Sequence, residues 1–542
     1  MLNKIFFSLV LVSTIFISSC DDNFLGGKPL DQVSDSDIWQ DISMTQTFVD
    51  NIYGNMRTGH EDNMSFSVSA DESYQWEDVG AQIIQRGDVT PSDLGQLDWT
   101  WEHYYEIIAG CNRFTSKVTA DVRENLAAQD QEQLNRMTGE IKTLRAFAYH
   151  RLSSLFGGVP LIITSFSLND DFKVERSSYE EVVDFIVSEL DEASNILPVS
   201  YSDSERGRIT KGAALAIKSR VLLYAASSLH NPNGDVTKWQ VASDAAKDVI
   251  NLDQYSLYPD YGELFTEEGN FNNESIWELV INNESWQQFA LERNLFPNGS
   301  GGWAVTVPTQ NQVDAYETKN GLLPKDDPSY NPQNPWVNRD PRFYDTILYN
   351  GAPWRDRTIE VFRPGGADSP DGARDPHNAS RTGYYTKKFV DENWAGSMGE
   401  SSSPNWMMIR YAEILLNYAE AQFHLGNEGI AREYVNMVRS RPSVDMPDVT
   451  ESGSALLDRI KNERRVEFYL EEHRFFDVRR WTEQFASTDS IRRVQVMVES
   501  DGETTISYSG IQSWKLPEHT YLLPIPQDEI LSNPALNQNP GY

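Results

Sequence analysis

The sequence predicts a mainly α-helical fold in which tetratricopeptide-like helical hairpins form an α/α superhelix scaffold, with loop-rich insertions and little β structure. The clearest helix covers 409–426, where apolar residues recur at the i, i+3, i+4, i+7 spacing of one buried stripe, and Gly426 is placed to end it. A second amphipathic segment, 430–441, follows after a few residues. The two segments therefore predict a helical hairpin, and Ala419 and Ala421 leave room for another helix to approach.

Other segments repeat this pattern, although no strict repeat period is visible. Helical periodicity places the scaffold over about 35–56, 98–260 and 406–482, with Asp35 or Ser36 available to cap the first helix. The individual helices are predicted over 35–54, 101–112, 134–156, 178–197, 209–225, 239–250 and 456–481.

Two long regions between the helices are rich in Gly, Pro, Ser, Asp and Asn, about 57–97 and 282–405, and a last segment, 483–542, is predicted to be irregular. A β-strand is predicted over 275–281. Loops of this length inside a compact domain usually serve a function, and their aromatic content argues against disorder. We therefore expect the first two regions to build a ligand surface.

The amino terminus predicts an exported lipoprotein. A short basic region precedes an apolar run over 5–17, which is shorter than the roughly 20 helical residues that span a bilayer. Small residues then lead into Cys20, the pattern of bacterial signal cleavage and cysteine lipidation. The alternative is an ordinary secretory signal with an incidental cysteine. We expect a signal peptide over 1–19 and one domain over 20–542, held to the membrane by its lipid anchor alone.

Composition excludes several classes of function. The 542 residues include 46 Lys and Arg against 81 Asp and Glu, which gives a net charge of −35. The field of such a chain repels nucleic acid, so no nucleic-acid partner is expected. The chain has 2 cysteines, Cys20 and Cys111. If Cys20 is lipidated, no intramolecular disulfide or thiolate metal site can form, and Cys111 is predicted to be buried. We expect no cofactor and no metal.

Two pairs of helical side chains carry possible chemistry. His473 and Asp477 lie four residues apart, which suits a metal or an oriented base, but the neighbouring arginines favour a buried charged network. Glu413 and Glu420 lie about 10 Å apart along one helix, near the separation used by inverting glycosidases. Residues along one helix cannot easily flank a substrate bond, so we predict interhelical contacts. No hydrolase or phosphate-loop motif appears, although 81 acidic residues leave open a catalytic carboxylate pair assembled from loops.

Aromatic residues in the loops point to a sugar ligand. The chain contains 14 Trp, 24 Tyr and 24 Phe, many of them in loops rich in Gly, Pro and Asn. Aromatic faces pack on apolar C–H faces, while Asn, Gln, Asp and Arg hydrogen-bond hydroxyls. Trp residues in helices are assigned to the core. The candidate ligand-binding residues are Tyr74, Trp76, Trp286, Trp303 and Trp394.

Several stretches together resemble the SusD/RagB family of surface nutrient-binding lipoproteins of certain Gram-negative bacteria. The stretches that carry the resemblance are Arg410–Ala421, Glu463–Phe468, His473–Trp481, Leu144–Tyr149, Phe156–Leu161, Asn338–Phe343 and Tyr521–Ile530. The acidic pair Asp21-Asp22 is similar to that which accompanies display on the outer face of the outer membrane in this family.

The resemblance implies non-catalytic capture of an oligosaccharide or polysaccharide at the cell surface. It also implies delivery to a SusC-like TonB-dependent outer-membrane barrel, on which the protein acts as a lid. Two alternatives remain open from the sequence, a RagB-like lipoprotein that takes up peptides and a surface glycoside hydrolase. Neither the identity of the glycan nor the permanence of the barrel complex follows from the sequence.

Overall fold

The computed structural model describes residues 35–60, 64–75, 80–167, 169–281, 291–372, 375–393, 402–486 and 488–542. The described residues are mainly helical, which confirms the predicted fold class. The helices are α1 Asp35–Gln40, α2 Ile42–Gly54, α3 Ser65–Val68, α4 Ala81–Arg86, α5 Thr100–Lys117, α6 Ala120–Glu124, α7 Ala128–Phe156, α8 Tyr179–Ile196, α9 Lys211–Ala226, α10 Val236–Ile250, α11 Leu291–Leu295, α12 Gln310–Val313, α13 Pro341–Thr346, α14 Tyr411–His424, α15 Glu428–Arg439, α16 Ser454–Glu467, α17 His473–Arg480 and α18 Gln527–Ser532.

The β structure consists of small two-stranded antiparallel sheets. Their pairs are β1 with β3, β2 with β8, β4 with β7, β5 with β6, and β9 with β10. The strands are β1 Ser73–Gln75, β2 Ser275–Leu279, β3 Thr306–Pro308, β4 Ile347–Leu348, β5 Pro353–Trp354, β6 Arg357–Thr358, β7 Tyr385–Thr386, β8 Trp406–Arg410, β9 Ser490–Val498 and β10 Thr504–Ser513.

The scaffold is a continuous stack of antiparallel helices in the order α5, α7, α8, α9, α10, α14 and α15, each packed on the next. The long insertion between α10 and α14 does not interrupt the stack, because the β2–β8 ladder brings the chain back to the start of α14. Ala412, Ala419 and Ala421 are fully buried, as expected of small residues at close helix crossings. The predicted helical hairpins are therefore confirmed.

Two predicted helices are each divided in two. The helix predicted over 35–54 breaks at Asp41, whose carboxylate accepts hydrogen bonds from the backbone N–H groups of Ser43 and Met44 and so caps α2. The helix predicted over 456–481 is wrong across its centre, where Leu470 and Glu472 adopt positive φ values of 62° and 66°. A helix cannot continue through such residues.

Two carboxylates at the turn between α16 and α17 bind the buried guanidinium of Arg410, which lies at the end of β8. Arg410 Nη1 lies 2.6 Å from Glu467 Oε1, and its Nε lies 2.7 Å from Glu471 Oε2. Buried charges require such partners.

The predicted charged network is confirmed. Arg220 from α9 donates to Glu413, whereas Asp477 pairs with the guanidinium groups of Arg464 and Arg480. His473 is buried among arginines, and burial together with their positive charge holds its pKa well below the usual range, so the ring is neutral. Cys111 and the helical residues Trp39, Trp101, Trp239 and Trp481 are buried, as predicted.

The prediction of an irregular segment over 483–542 is wrong for its first part. β9 and β10 form a hairpin with a bulge between Gly510 and Gln512. Along β9, Val494 and Val496 are the only two buried residues separated by a single less buried one, so the alternating pattern that predicts a strand is short. Asp501-Gly502 is the sequence signal that marks the turn, and Gly502 takes the left-handed φ of 86° that such a turn requires.

Candidate functional site

The structure places two of the five candidate ligand-binding residues. Tyr74 lies in β1, and Trp303 lies in the segment that leads into β3. The other three, Trp76, Trp286 and Trp394, lie outside the described residues, as does the predicted lipidation site Cys20.

The β1–β3 ladder joins the two loop regions predicted to form the ligand surface. Tyr74 lies opposite Val307, and the ladder continues where Thr309 N donates to Glu72 O at 3.1 Å. The Thr309 hydroxyl also donates to Asp71 O at 2.6 Å. The segment after residue 57 is therefore fixed directly beside the segment after residue 291. Tyr74 is half-buried and packs against the hydrophobic core.

Trp303 is presented to solvent by a tight turn. Gly301 has a φ of 89°, a conformation that side-chain-bearing residues rarely adopt. A Cβ on Gly302 would lie 2.1 Å from the carbonyl oxygen of Phe296, so only glycine fits there. Trp303 N then donates to Arg293 O at 2.6 Å, which fixes the turn against α11. The side chain that results is 40% exposed.

The indole of Trp303 is already supported on one side. The guanidinium carbon of Arg293 lies 4.3 Å from the ring centroid, within the range of a cation–π contact. This contact limits the orientations of the ring before any ligand arrives. A held, partly exposed indole is suited to stacking on the apolar face of a sugar, because little side-chain entropy remains to be lost.

A groove of about 470 Å³ begins at the other end of β3, where the chain enters α12. Its walls come from α12, the loop over 323–332, α16 and the β9–β10 hairpin. The side chains that line it with polar or aromatic groups include Tyr330, Tyr508, Asn462, Lys325, Arg465 and Arg492. At most about 25 Å of chain separates Trp303 from Gln310 at the groove, from seven residues at 3.3–3.6 Å each.

Hydrogen bonds hold the walls of this groove together. Gln333 donates to Ile506 O at 3.2 Å and accepts from Ile506 N at 3.1 Å, so the side chain pairs with β10 as a strand would. Asn311 bridges α12 and β9 in the same way, because it donates to Ser490 O and accepts from Arg492 N, both at 2.9 Å. The groove residues come from distant parts of the chain, which is why sequence patterns did not identify them.

Arg465, which lines the groove, belongs to a buried charged cluster beside it. Arg465 Nε donates to Gln312 at 3.0 Å, and its Nη2 lies 3.2 Å from Asp71 Oδ2. Arg474 also binds this carboxylate, with Nε 2.8 Å from Oδ1. Burial alone would raise the pKa of the Asp71 carboxyl group, but the two arginines hold this pKa well below its usual range. Burial raises the pKa of the adjacent Glu72 to about 7.

A second, larger cavity of about 870 Å³ lies on another part of the scaffold, beside α5 and the end of α18. Phe166 and Phe172 form an edge-to-face pair at its rim and are 38% and 56% exposed. Asp35 closes one end, paired with Arg113 and Lys117 of α5. Neither Tyr74 nor Trp303, the two candidate residues that the structure describes, lines this cavity.

Two kinds of site are not found in the part of the chain that the structure describes. In these residues no three His, Cys, Asp or Glu side chains come together as a metal site would require. Likewise, no helix among the described ranges is both long and apolar enough to cross a bilayer.

Comparisons with known proteins agree with this architecture. A sequence model described as the SusD family matches residues 273–542, and one described as "Starch-binding associating with outer membrane" matches residues 28–223. SusD-like protein P38 of Formosa agariphila is 25% identical to the chain, over 98% of each protein.

Two crystal structures have the same fold as this chain and are more than 25% identical to it in sequence. A SusD-like protein from Bacteroides fragilis NCTC 9343 is 29% identical with a TM-score of 0.79, over 95% of this chain and 100% of that one. A SusD-like carbohydrate binding protein from the same organism is 26% identical with a TM-score of 0.77, over 92% and 100% of the two chains. The class of protein observed is thus a helical-hairpin scaffold with long loop-rich insertions. The chain belongs to the SusD family, whose members include carbohydrate-binding proteins.

Proposed function

We propose that this protein is a non-catalytic lipoprotein of the cell surface that captures an oligosaccharide or polysaccharide. The observation that carries the proposal is the exposed Trp303, held by Arg293 beside the ladder that joins the two loop regions. Membership of the family supports it, because a relative of similar fold is described as carbohydrate binding. Trp76, Trp286 and Trp394 belong to the same two regions and are proposed as further ligand contacts.

Capture would rest on stacking combined with hydrogen bonds. A sugar ring placed on the indole of Trp303 buries apolar surface, while its hydroxyls need partners in order not to lose their bonds to water. The β1–β3 ladder holds Tyr74 opposite Val307, four residues after Trp303, and both aromatic groups are proposed to contact one extended ligand. No proton transfer or covalent step is needed for such a role.

The captured glycan would pass to a SusC-like TonB-dependent barrel in the outer membrane. Cys20 is proposed as the lipid attachment site, which would hold the protein at the outer face of that membrane. This part of the proposal rests on the amino-terminal sequence and on the outer-membrane association named for the family match to residues 28–223. Transport energy would come from the machinery that drives the barrel.

The test is a binding screen of the soluble chain that starts at Asp21. Polysaccharides of different composition are titrated while intrinsic tryptophan fluorescence and gel retardation are followed. Binding to a glycan without release of reducing ends is the expected result. Release of reducing ends would overturn the non-catalytic assignment, and binding to oligopeptides with no response to any glycan would favour the peptide-uptake alternative.

A further inference from the structure

The groove between α12, α16 and the β9–β10 hairpin has a charge balance opposite to that of the chain as a whole. The whole chain carries a net charge of −35. The groove, by contrast, is lined by three cationic side chains, Lys325, Arg465 and Arg492, and by one carboxylate, Asp314. A local excess of positive charge attracts an anion, although the net negative charge of the whole protein repels it.

The three cationic side chains are not equally free to bind a ligand. Arg492 is paired with Asp314, because its Nη2 lies 2.5 Å from Oδ2, and both side chains are more than a third exposed. Such an exposed pair is weak and exchanges easily with solvent or ligand. Lys325 is exposed on the loop wall and makes no ion pair within 4.0 Å to any described residue.

Arg465 is the most constrained of the three. Its side chain is 14% exposed, and it shares the single carboxylate of Asp71 with Arg474. Arg465 Nη2 also lies out of line for a hydrogen bond to that carboxylate and has no other hydrogen-bond partner among the described residues. Because Asp71 is divided between two arginines, the charge of Arg465 is only partly compensated, and this favours a further negative group nearby.

Aromatic and amide groups beside these cations fit a sugar ring. Tyr330 and Tyr508 line the groove from two different walls, their hydroxyl groups interact with each other, and both residues are half-buried. A phenol is neutral at ordinary pH, so both hydroxyls can donate and accept hydrogen bonds. Asn462 lines the same space and uses its amide nitrogen to donate to Ala315 O, which leaves its oxygen free to accept.

We infer that this groove binds an anionic substituent, a carboxylate or a sulfate, on the captured glycan. The inference rests on the proposed function and extends it from glycans in general to acidic ones. Tyr330 and Tyr508 supply apolar contact for the sugar ring, while Lys325 and Arg465 bind the charged group. Arg492 exchanges Asp314 for the ligand or stays paired and holds the wall in place.

Two pairs of polymers that differ only in charge test this inference. Polygalacturonate is compared with its methyl ester for carboxylates, and dextran sulfate is compared with dextran for sulfates. We expect the soluble chain from Asp21 to bind at least one charged polymer and to bind its neutral partner at least tenfold more weakly. Affinity should fall as the salt concentration rises, since the contact is ionic.

Variants at Lys325 separate a local site from a general charge effect. K325Q should weaken binding to the charged polymer about fivefold or more, while K325R should restore it. K173Q removes an equally exposed lysine near the second cavity and serves as the matched control, with no change expected. Circular dichroism and melting temperature check that each variant is folded.

The outcomes distinguish the inference from the proposed function. Equal binding to charged and neutral polymers, or equal losses in K325Q and K173Q, would overturn the anionic groove and leave glycan capture standing. Binding to neutral glycans alone has the same meaning. A lack of binding to these four polymers and to the whole glycan panel would overturn both.

Discussion

Arg480 and Glu420 form a two-point ion pair in the core of the scaffold, with Nη1 to Oε1 at 2.6 Å and Nη2 to Oε2 at 2.7 Å. The pair joins α17 to α14, and Trp481 Nε1 adds a third donor to the same carboxylate at 2.7 Å. Both charged side chains are almost fully buried. Since neither charge is stable alone in such surroundings, the pair fixes how the carboxyl-terminal helices sit on the helical stack.

Replacing Glu420 should therefore be severely destabilising. In E420Q the guanidinium of Arg480 keeps Asp477 but loses the carboxylate that binds both of its terminal nitrogens, and we expect the free energy of unfolding to fall by roughly 3 kcal/mol. Urea unfolding followed by circular dichroism measures the change. E433Q, on an exposed position of α15, is the control and should stay within about 0.5 kcal/mol of the unchanged protein.

The same pair predicts a pH dependence with a definite sign. Although burial would raise it, Arg480 and then Arg464 lower the pKa of Glu420 to about 2, against 4.5 for a free glutamate. A carboxyl group with a lowered folded-state pKa stabilises the protein above pH 4.5, and this contribution is lost as the pH falls toward 2. The stability difference between the unchanged protein and E420Q should shrink over that range. A difference independent of pH would contradict the assignment.

Glu72 should have the opposite effect on stability. Burial raises its pKa to about 7, so the folded protein binds a proton that the unfolded chain has released above pH 4.5. Stability from this group is therefore full below pH 4.5 and is lost as the pH rises through 7. E72Q keeps the neutral shape and should be more stable than the unchanged protein at pH 8, by roughly 1–3 kcal/mol. Thermal melts at pH 5 and pH 8 measure the effect, and equal shifts at both would refute it.

The helical scaffold could be predicted from sequence because its information is local. The apolar stripe and alanines of α14 determine both the helix and its close packing, and the motif residues around Arg410 and His473 identify the family. The turn at Leu470 and Glu472 could not be predicted in this way. It contains no glycine or proline, and its positive φ values are stabilised by the distant guanidinium of Arg410.

The candidate site could be predicted only in part from the sequence, for the same reason. Trp303 is a candidate because it lies in a loop rich in Gly, Pro and Asn, which is a local property of the sequence, and its side chain is 40% exposed in the structure. The groove instead joins Lys325, Arg465 and Tyr508, which are separated by more than a hundred residues at one step and by about forty at another. Their proximity depends on the β9–β10 hairpin, which lies in a segment that appeared irregular.

Trp303 should contribute to glycan affinity and little to stability. Removing a 40% exposed indole loses the stacking surface, so W303A is expected to bind the glycan found in the screen about tenfold or more weakly, whereas W303F keeps part of the affinity. Isothermal titration calorimetry measures both. F172A removes an exposed aromatic side chain at the second cavity and is the control, with unchanged affinity expected. Equal affinities for W303A and F172A would exclude Trp303 as a ligand contact.

The turn before Trp303 should be as important as the indole itself. G302A places a methyl group 2.1 Å from Phe296 O, so the backbone must shift and carry Trp303 away from Arg293. We expect a loss of roughly 1–3 kcal/mol in the free energy of unfolding and a loss of glycan affinity comparable to that of W303A. G429A is the matched control, because no atom lies within 4 Å of its added methyl group on α15. An alanine there should stabilise the helix by roughly 0.5–1 kcal/mol and leave binding unchanged. If G302A bound glycan normally, the fixed position of the indole would have no part in recognition.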